Sequence, residues 1–168
     1  MNNIGLYLDE ITKYPIEDRC KSLNNIGQRA AKNNDRYTFS RAYVRLGRIS
    51  GIGVQDGNRG LANQITAYQY LYEERIEELF FIAHNNLWNY FRDKMEVTNL
   101  LRLFRHSSYI WRLNGKEEKE IPYIKELIEK LPQLLEKGEQ GDSMEANYFI
   151  ARAEKLQPLL GNDRSISP

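Results

Sequence analysis

Apolar residues recur at three- and four-residue spacing along almost the whole chain, and no segment alternates apolar and polar positions with β-branched enrichment. A period near 3.6 collects such residues into one stripe of a helix, whereas a strand needs a period of two. The fold class that follows is all-α, a single-domain bundle of about six or seven helices. At 168 residues the chain can bury a core without staples, so one domain is expected over 1–160, with 161–168 as a flexible tail.

The stripes place the elements. A short helix is expected over 4–13, and a second from Pro15 with Ile16, Cys20, Leu23, Ile26 and Ala30 inward, ending at Asn33 and Asn34. Thr38 is read as the N-cap of the next helix, which turns Phe39, Ala42, Tyr43, Leu46 and Ile49 inward. From Leu61 to Met95 the register continues through Ile65, Tyr68, Ile76, Phe80, Leu87 and Phe91, which predicts one long central helix; Asn85 and Asn86 mark its weakest point. Thr98 is the expected cap of a helix burying Val97, Leu101, Phe104, Ser108 and Trp111, closed by Asn114 and Gly115. The charged run 116–120 reads as a solvated link. A helix beginning near Pro122 uses Ile124, Leu127, Ile128, Leu131 and Leu135, with Pro132 as a kink. Asp142 and Glu145 have capping-box spacing before a last helix with Ala146, Phe149, Ala153 and Leu156 inward. No internal repeat is evident.

The longest apolar run, Leu79 to Ala83, is too short for a bilayer, and the first residues lack signal-peptide character. A soluble cytoplasmic protein with no membrane contact is the expectation. One cysteine, Cys20, allows no internal disulfide and reads as a small buried hydrophobe.

Residues 47–60 hold five glycines with Arg48 and Arg59. A dinucleotide fingerprint needs Gly-x-Gly-x-x-Gly after a strand, because the glycines admit a pyrophosphate to a helix N-terminus. Gly51, Gly53 and Gly57 are one residue too wide, a helix precedes them, and no Walker Gly-Lys-Ser/Thr exists. The stretch reads as a hinge, with Gly51 or Gly53 ending one helix and Asp56 or Asn58 starting another; a phosphate role falls to Arg48, Arg59 and the amides of the helix it opens.

The net charge of +1 hides segregation. Residues 19–60 carry +7 and residues 98–113 carry +3, which points to an anionic partner met on a basic face. Arg41, Arg45 and Arg48 lie at i, i+4 and i+7, one turn after Tyr37, so the forked guanidinium donors form a row able to hold successive phosphates. Arg102, Arg105, His106, Tyr109 and Arg112 repeat the theme, and cations interleaved with an aromatic suit single-stranded nucleic acid. The competing reading is of solvated faces, or of pairing with the glutamates at 73, 74, 77 and 78. Arginine itself is biased, with twelve of fourteen between positions 19 and 112, while six of ten lysines follow position 115.

Catalytic constellations are thin. Arg102 and His106 resemble the arginine–histidine motif of helical HEPN ribonucleases, but with three intervening residues where that family has four to six. Two histidines and one cysteine make no metal cluster, and the glutamates lack di-iron histidine partners. No enzyme, no cofactor and no metal is expected.

Two segments resemble known families. Tyr7-Leu8-Asp9-Glu10-Ile11 before Pro15, and Val54-Gln55-Asp56-Gly57-Asn58-Arg59-Gly60-Leu61, are similar to segments of bacterial primary sigma factors, implying contact with RNA polymerase; the spacing is shorter and the aromatic promoter-melting segment is missing. Residues 26–49, with Thr38, Ser40, Arg41 and Arg48, resemble the small helical subunits of type III CRISPR effector complexes, implying a basic face along nucleic acid; Phe39 separates the threonine and serine that are adjacent in that family. Each match covers well under half of the chain.

The expectation from sequence is therefore a non-catalytic helical protein that binds RNA, single-stranded DNA or a nucleoprotein complex. Arg41, Arg45, Arg48, Arg59, Arg102, Arg105 and Arg112 would meet phosphates, and Tyr37 and Tyr109 would stack. The alternative is an interaction or assembly subunit, for instance of the transcription machinery, whose arginines meet an acidic protein surface.

Overall fold

A computed structural model describes residues 15–52, 57–130 and 144–161. The expected helix over 4–13, the residues Tyr7 to Ile11, Val54 to Asp56, Leu131, Pro132, Leu135 and Asp142, and the tail beyond 161 lie outside the described residues. The described residues are helical, with no strand among them, and fall into two compact units, Met1–Met95 and Glu96–Pro168.

The first unit contains α1 (Ile16–Lys32), α2 (Arg36–Ser50), α3 (Gly57–Glu73) and α4 (Glu77–Asp93). Leu23, Ile26 and Ala30 of α1 are buried as the stripe predicts, and they pack with Ala42, Tyr43 and Leu46 of α2. Ile16 is exposed instead, because it occupies the first turn, ahead of the packed stretch. Gly27 lets the helices approach: a Cβ there would sit 2.3 Å from the Tyr43 ring, so only glycine fits.

The cap of α2 is Asp35, not Thr38. Its carboxylate accepts the Thr38 amide at 3.1 Å and the Thr38 hydroxyl at 2.6 Å, so the threonine occupies the third helical position. Asn34 makes this abrupt start possible. At φ 55° it reverses the chain while the Asp35 amide donates to the Ala30 carbonyl at 2.9 Å, a six-to-one closure of α1.

The same corner ends the expected long central helix. Arg75, at φ 54°, separates α3 from α4, and the Ile76 amide donates to the Leu71 carbonyl at 3.1 Å. A left-handed arginine costs about 1–2 kcal/mol. Burial of Leu71 on one side and Phe80 on the other, impossible on one straight rod, offsets it. Asn86 does not break α4. It is buried in mid-helix, where its amide donates to the Val44 carbonyl at 2.8 Å. Gln64 of α3 donates to the neighbouring Tyr43 carbonyl, and the two amides touch at 3.4 Å. Three helices thus meet on polar contacts beside Gly47, where a Cβ would lie 2.7 Å from both side-chain nitrogens.

The second unit contains α5 (Val97–Leu113), a 3-10 turn (Glu117–Glu120), α6 (Ile121–Lys130), α7 (Met144–Lys155) and α8 (Gln157–Gly161). The N-cap of α5 is Glu96, one residue before its first turn, so Thr98 lies inside the helix. Leu101, Phe104, Ser108 and Trp111 are buried as predicted; Phe104 meets Phe149 edge-on at 5.5 Å and Trp111 stacks on Tyr123 at 5.4 Å. Gly115, at φ 67°, closes α5 with the Lys116 amide on the Trp111 carbonyl at 2.7 Å.

The run 116–120 is not a solvated link. Glu120 is 0% exposed and grips Arg152 of α7, itself 3% exposed, through Nε–Oε1 at 2.8 Å and Nη2–Oε2 at 2.5 Å. Ser108 donates to the same carboxylate and meets the Tyr148 hydroxyl at 2.6 Å; Glu117 takes a second bond from Arg152 at 3.2 Å. These partners raise the Arg152 pKa, the Glu120 hydrogen bond most. Left-handed residues at 75, 95 and 115 recur every twenty residues, a repeat of backbone geometry that residue identity does not display.

Candidate nucleic-acid interface

Each arginine helix is held by the packing of its own opposite face. On α2, burial of Ala42, Tyr43 and Leu46 turns Tyr37, Arg41, Arg45 and Arg48 outward together, within an arc of roughly 80° at ~100° per residue. Tyr37 is 45% exposed and Arg48 is exposed, while Arg41 and Arg45 are half-buried and already hold interactions within the fold. Arg59 is exposed in the first turn of α3. The glycine stretch resolves into separate roles: Gly47 is a packing contact inside α2, Gly51 ends it at φ 70° and ψ 169°, a region essentially restricted to glycine, and Gly57 and Gly60 lie in α3. Gly53 and Asp56, central to the phosphate question, lie outside the described residues.

On α5 the outward face carries Arg102, Arg105, His106, Tyr109 and Arg112. Arg102 and Arg112 are exposed and Tyr109 is 50% exposed between them. Arg105 is half-buried and paired with Glu145 of α7 at 3.4 Å, so part of its charge is spent inside the unit. Arg112 reaches the Tyr148 hydroxyl at 3.4 Å, at the edge of the buried Glu120–Arg152 network, which ties this end of the basic face to the core. The His106 Nδ1 donates to the Arg102 carbonyl at 2.8 Å, orienting the ring along its own helix. The two arginine helices belong to different units.

Two features escape a reading of sequence. The first is a cleft of about 170 Å³ at the α1–α2 corner, closed by α3 and lined by Ala31, Asn34, Phe39, Ser40, Thr66 and Tyr70. Arg36 lies 4.8 Å over the Tyr70 ring and pairs with Glu73 at 3.2 Å. Burial raises the Tyr70 pKa, with the Glu74 carboxylate adding to it. The second is His84, fully buried and stacked on Trp88 at 5.6 Å, where burial pushes its pKa down to about 3. The one signal for either was a polar residue inside an apolar stripe, Ser40 next to Phe39 and His84 next to Ala83.

Among the described residues no group of three or more His, Cys, Asp or Glu side chains could hold a metal ion, and no described helix is long and apolar enough to cross a membrane. No family model, curated protein or solved structure matches this chain.

Proposed function

We propose that this chain is a non-catalytic helical protein that binds single-stranded nucleic acid, alone or within a nucleoprotein complex, through the outward face of α5 and, secondarily, that of α2. The observation that carries the reading is the exposure of Arg102, Tyr109 and Arg112 on one face of a single seventeen-residue helix. Guanidinium forks take phosphate oxygens, and an exposed phenol ring between them offers a stacking platform for any base. Arg48, Arg59 and Tyr37 supply a second set, whereas Arg41, Arg45 and Arg105 contribute less because each is half-buried and engaged in the fold.

A second reading, docking of an acidic protein surface, is favoured by Leu113, 50% exposed one turn beyond Tyr109. Purification separates the two. Nuclease-sensitive absorbance at 260 nm, lost in an Arg102→Glu/Arg112→Glu variant, supports nucleic acid; a stoichiometric protein partner that survives nuclease supports the second reading and overturns the first.

A further inference from the structure

We propose that the cleft between the α1–α2 corner and α3 receives one unstacked nucleobase of the bound strand, an inference that rests on the nucleic-acid reading above. Its volume of about 170 Å³ is below the ~300–1,000 Å³ of sites for drug-sized ligands, and suits a single ring.

Three observations decide what that ring is. Ser40 lines the cleft, is 0% exposed, and its Oγ has no hydrogen-bond partner among the described residues. A buried hydroxyl left unmet is costly, so the occupant that gains most is one that brings a donor or acceptor at its edge. An apolar side chain of a protein partner fills the space but leaves Ser40 unmet.

The charges at the mouth exclude the ions. Asp35 and Glu73 border the cleft and Glu74 acts on Tyr70, so a phosphate is repelled from the interior. The position of a cation over the Tyr70 ring is filled by the chain's own Arg36. What remains is a neutral planar group with a polar edge, and a nucleobase is such a group, stacked against Phe39 or Tyr70 and read by Ser40, Asn34 or Thr66. Sequence adjacency places the strand: Tyr37 follows Arg36 and Arg41 follows Ser40, so the outward face of α2 runs beside the mouth.

The test compares a single-stranded oligonucleotide of about twelve nucleotides with an abasic one of equal phosphate number, by fluorescence anisotropy. The base-bearing strand is expected to bind wild-type protein about 5- to 100-fold more tightly. Ser40→Ala removes an unpartnered hydroxyl and leaves the fold intact; it should weaken the base-bearing strand about 3- to 10-fold and leave the abasic strand unchanged. Tyr70→Leu, a second variant, should also act on the base-bearing strand alone. Equal binding of the two strands overturns the base site and leaves the phosphate reading standing. A base preference that neither variant alters overturns the cleft as its location. No salt-dependent binding of either strand overturns both proposals.

Discussion

Removal of the Glu120 carboxylate should be the most damaging single change in the second unit. Arg152 is 3% exposed and its two strongest bonds go to Glu120, itself 0% exposed. Its remaining acceptor, Glu117, has a side chain 40% exposed, where an ion pair stabilises by only about 0–1 kcal/mol. Glu120→Gln keeps the shape and one acceptor but leaves a guanidinium almost uncompensated away from water, which costs about 3–5 kcal/mol. Arg152→Met strands the carboxylate instead, with the Ser108 hydroxyl as its hydrogen-bond donor, and should cost a similar amount. The double variant removes both charges, so its loss should fall short of the sum by about 2–4 kcal/mol. Urea titration followed by far-UV circular dichroism and tryptophan fluorescence measures each term, since Trp111 lies in the same unit and stacks on Tyr123. Losses that add to within about 0.5 kcal/mol would refute the pair as the organising contact of this unit.

In the first unit, His84 makes stability depend on pH. Its folded pKa of about 3 lies below the ordinary value of 6.5, so under acid conditions the unfolded chain takes up a proton that the folded one refuses. The contribution is complete above pH ~6.5 and is lost progressively toward pH 3, about 2 kcal/mol being gone at pH 5. His84→Leu should flatten the profile between pH 7 and 5; an unchanged slope would assign the dependence to other groups. Gly47→Ala should cost about 2–3 kcal/mol despite a better helix propensity, because the new methyl displaces the buried Gln64 and Asn86 amides from the α2 carbonyls they bond. A neutral or stabilising effect on thermal unfolding would show that these amides are not fixed.

The parts of the fold legible in the sequence are those carried by local periodicity. The stripes of α1, α2 and α5 identified Leu23, Ala42, Leu46, Phe104 and Trp111 as core, and Gly51 and Gly115 marked helix ends because positive φ is written there as glycine. What stayed hidden is set at a distance. Glu74, Arg75 and Ile76 contain no glycine or proline, so nothing local announces the corner that separates α3 from α4; packing on either side imposes it. Glu120 looked solvated within a charged run because its partner, Arg152, lies thirty-two residues away. Asp35 and Thr38 both suit a cap, and only their mutual hydrogen bonds decide which one holds the position. At the candidate interface the residue types were legible, but the partial burial of Arg41, Arg45 and Arg105 was not, since side-chain engagement across elements leaves no periodic trace.

The measurement closest to the central claim is the salt dependence of binding to a single-stranded oligonucleotide, wild type against Arg102→Gln/Arg112→Gln. Both arginines are exposed, so the double variant should fold normally. Each phosphate contact on a single strand contributes about 0.7 to the slope of log K against log salt, so the account predicts a slope shallower by roughly 1.4 and weaker binding at low salt. An identical slope and affinity in the two proteins, or a wild-type protein that does not bind, would contradict it.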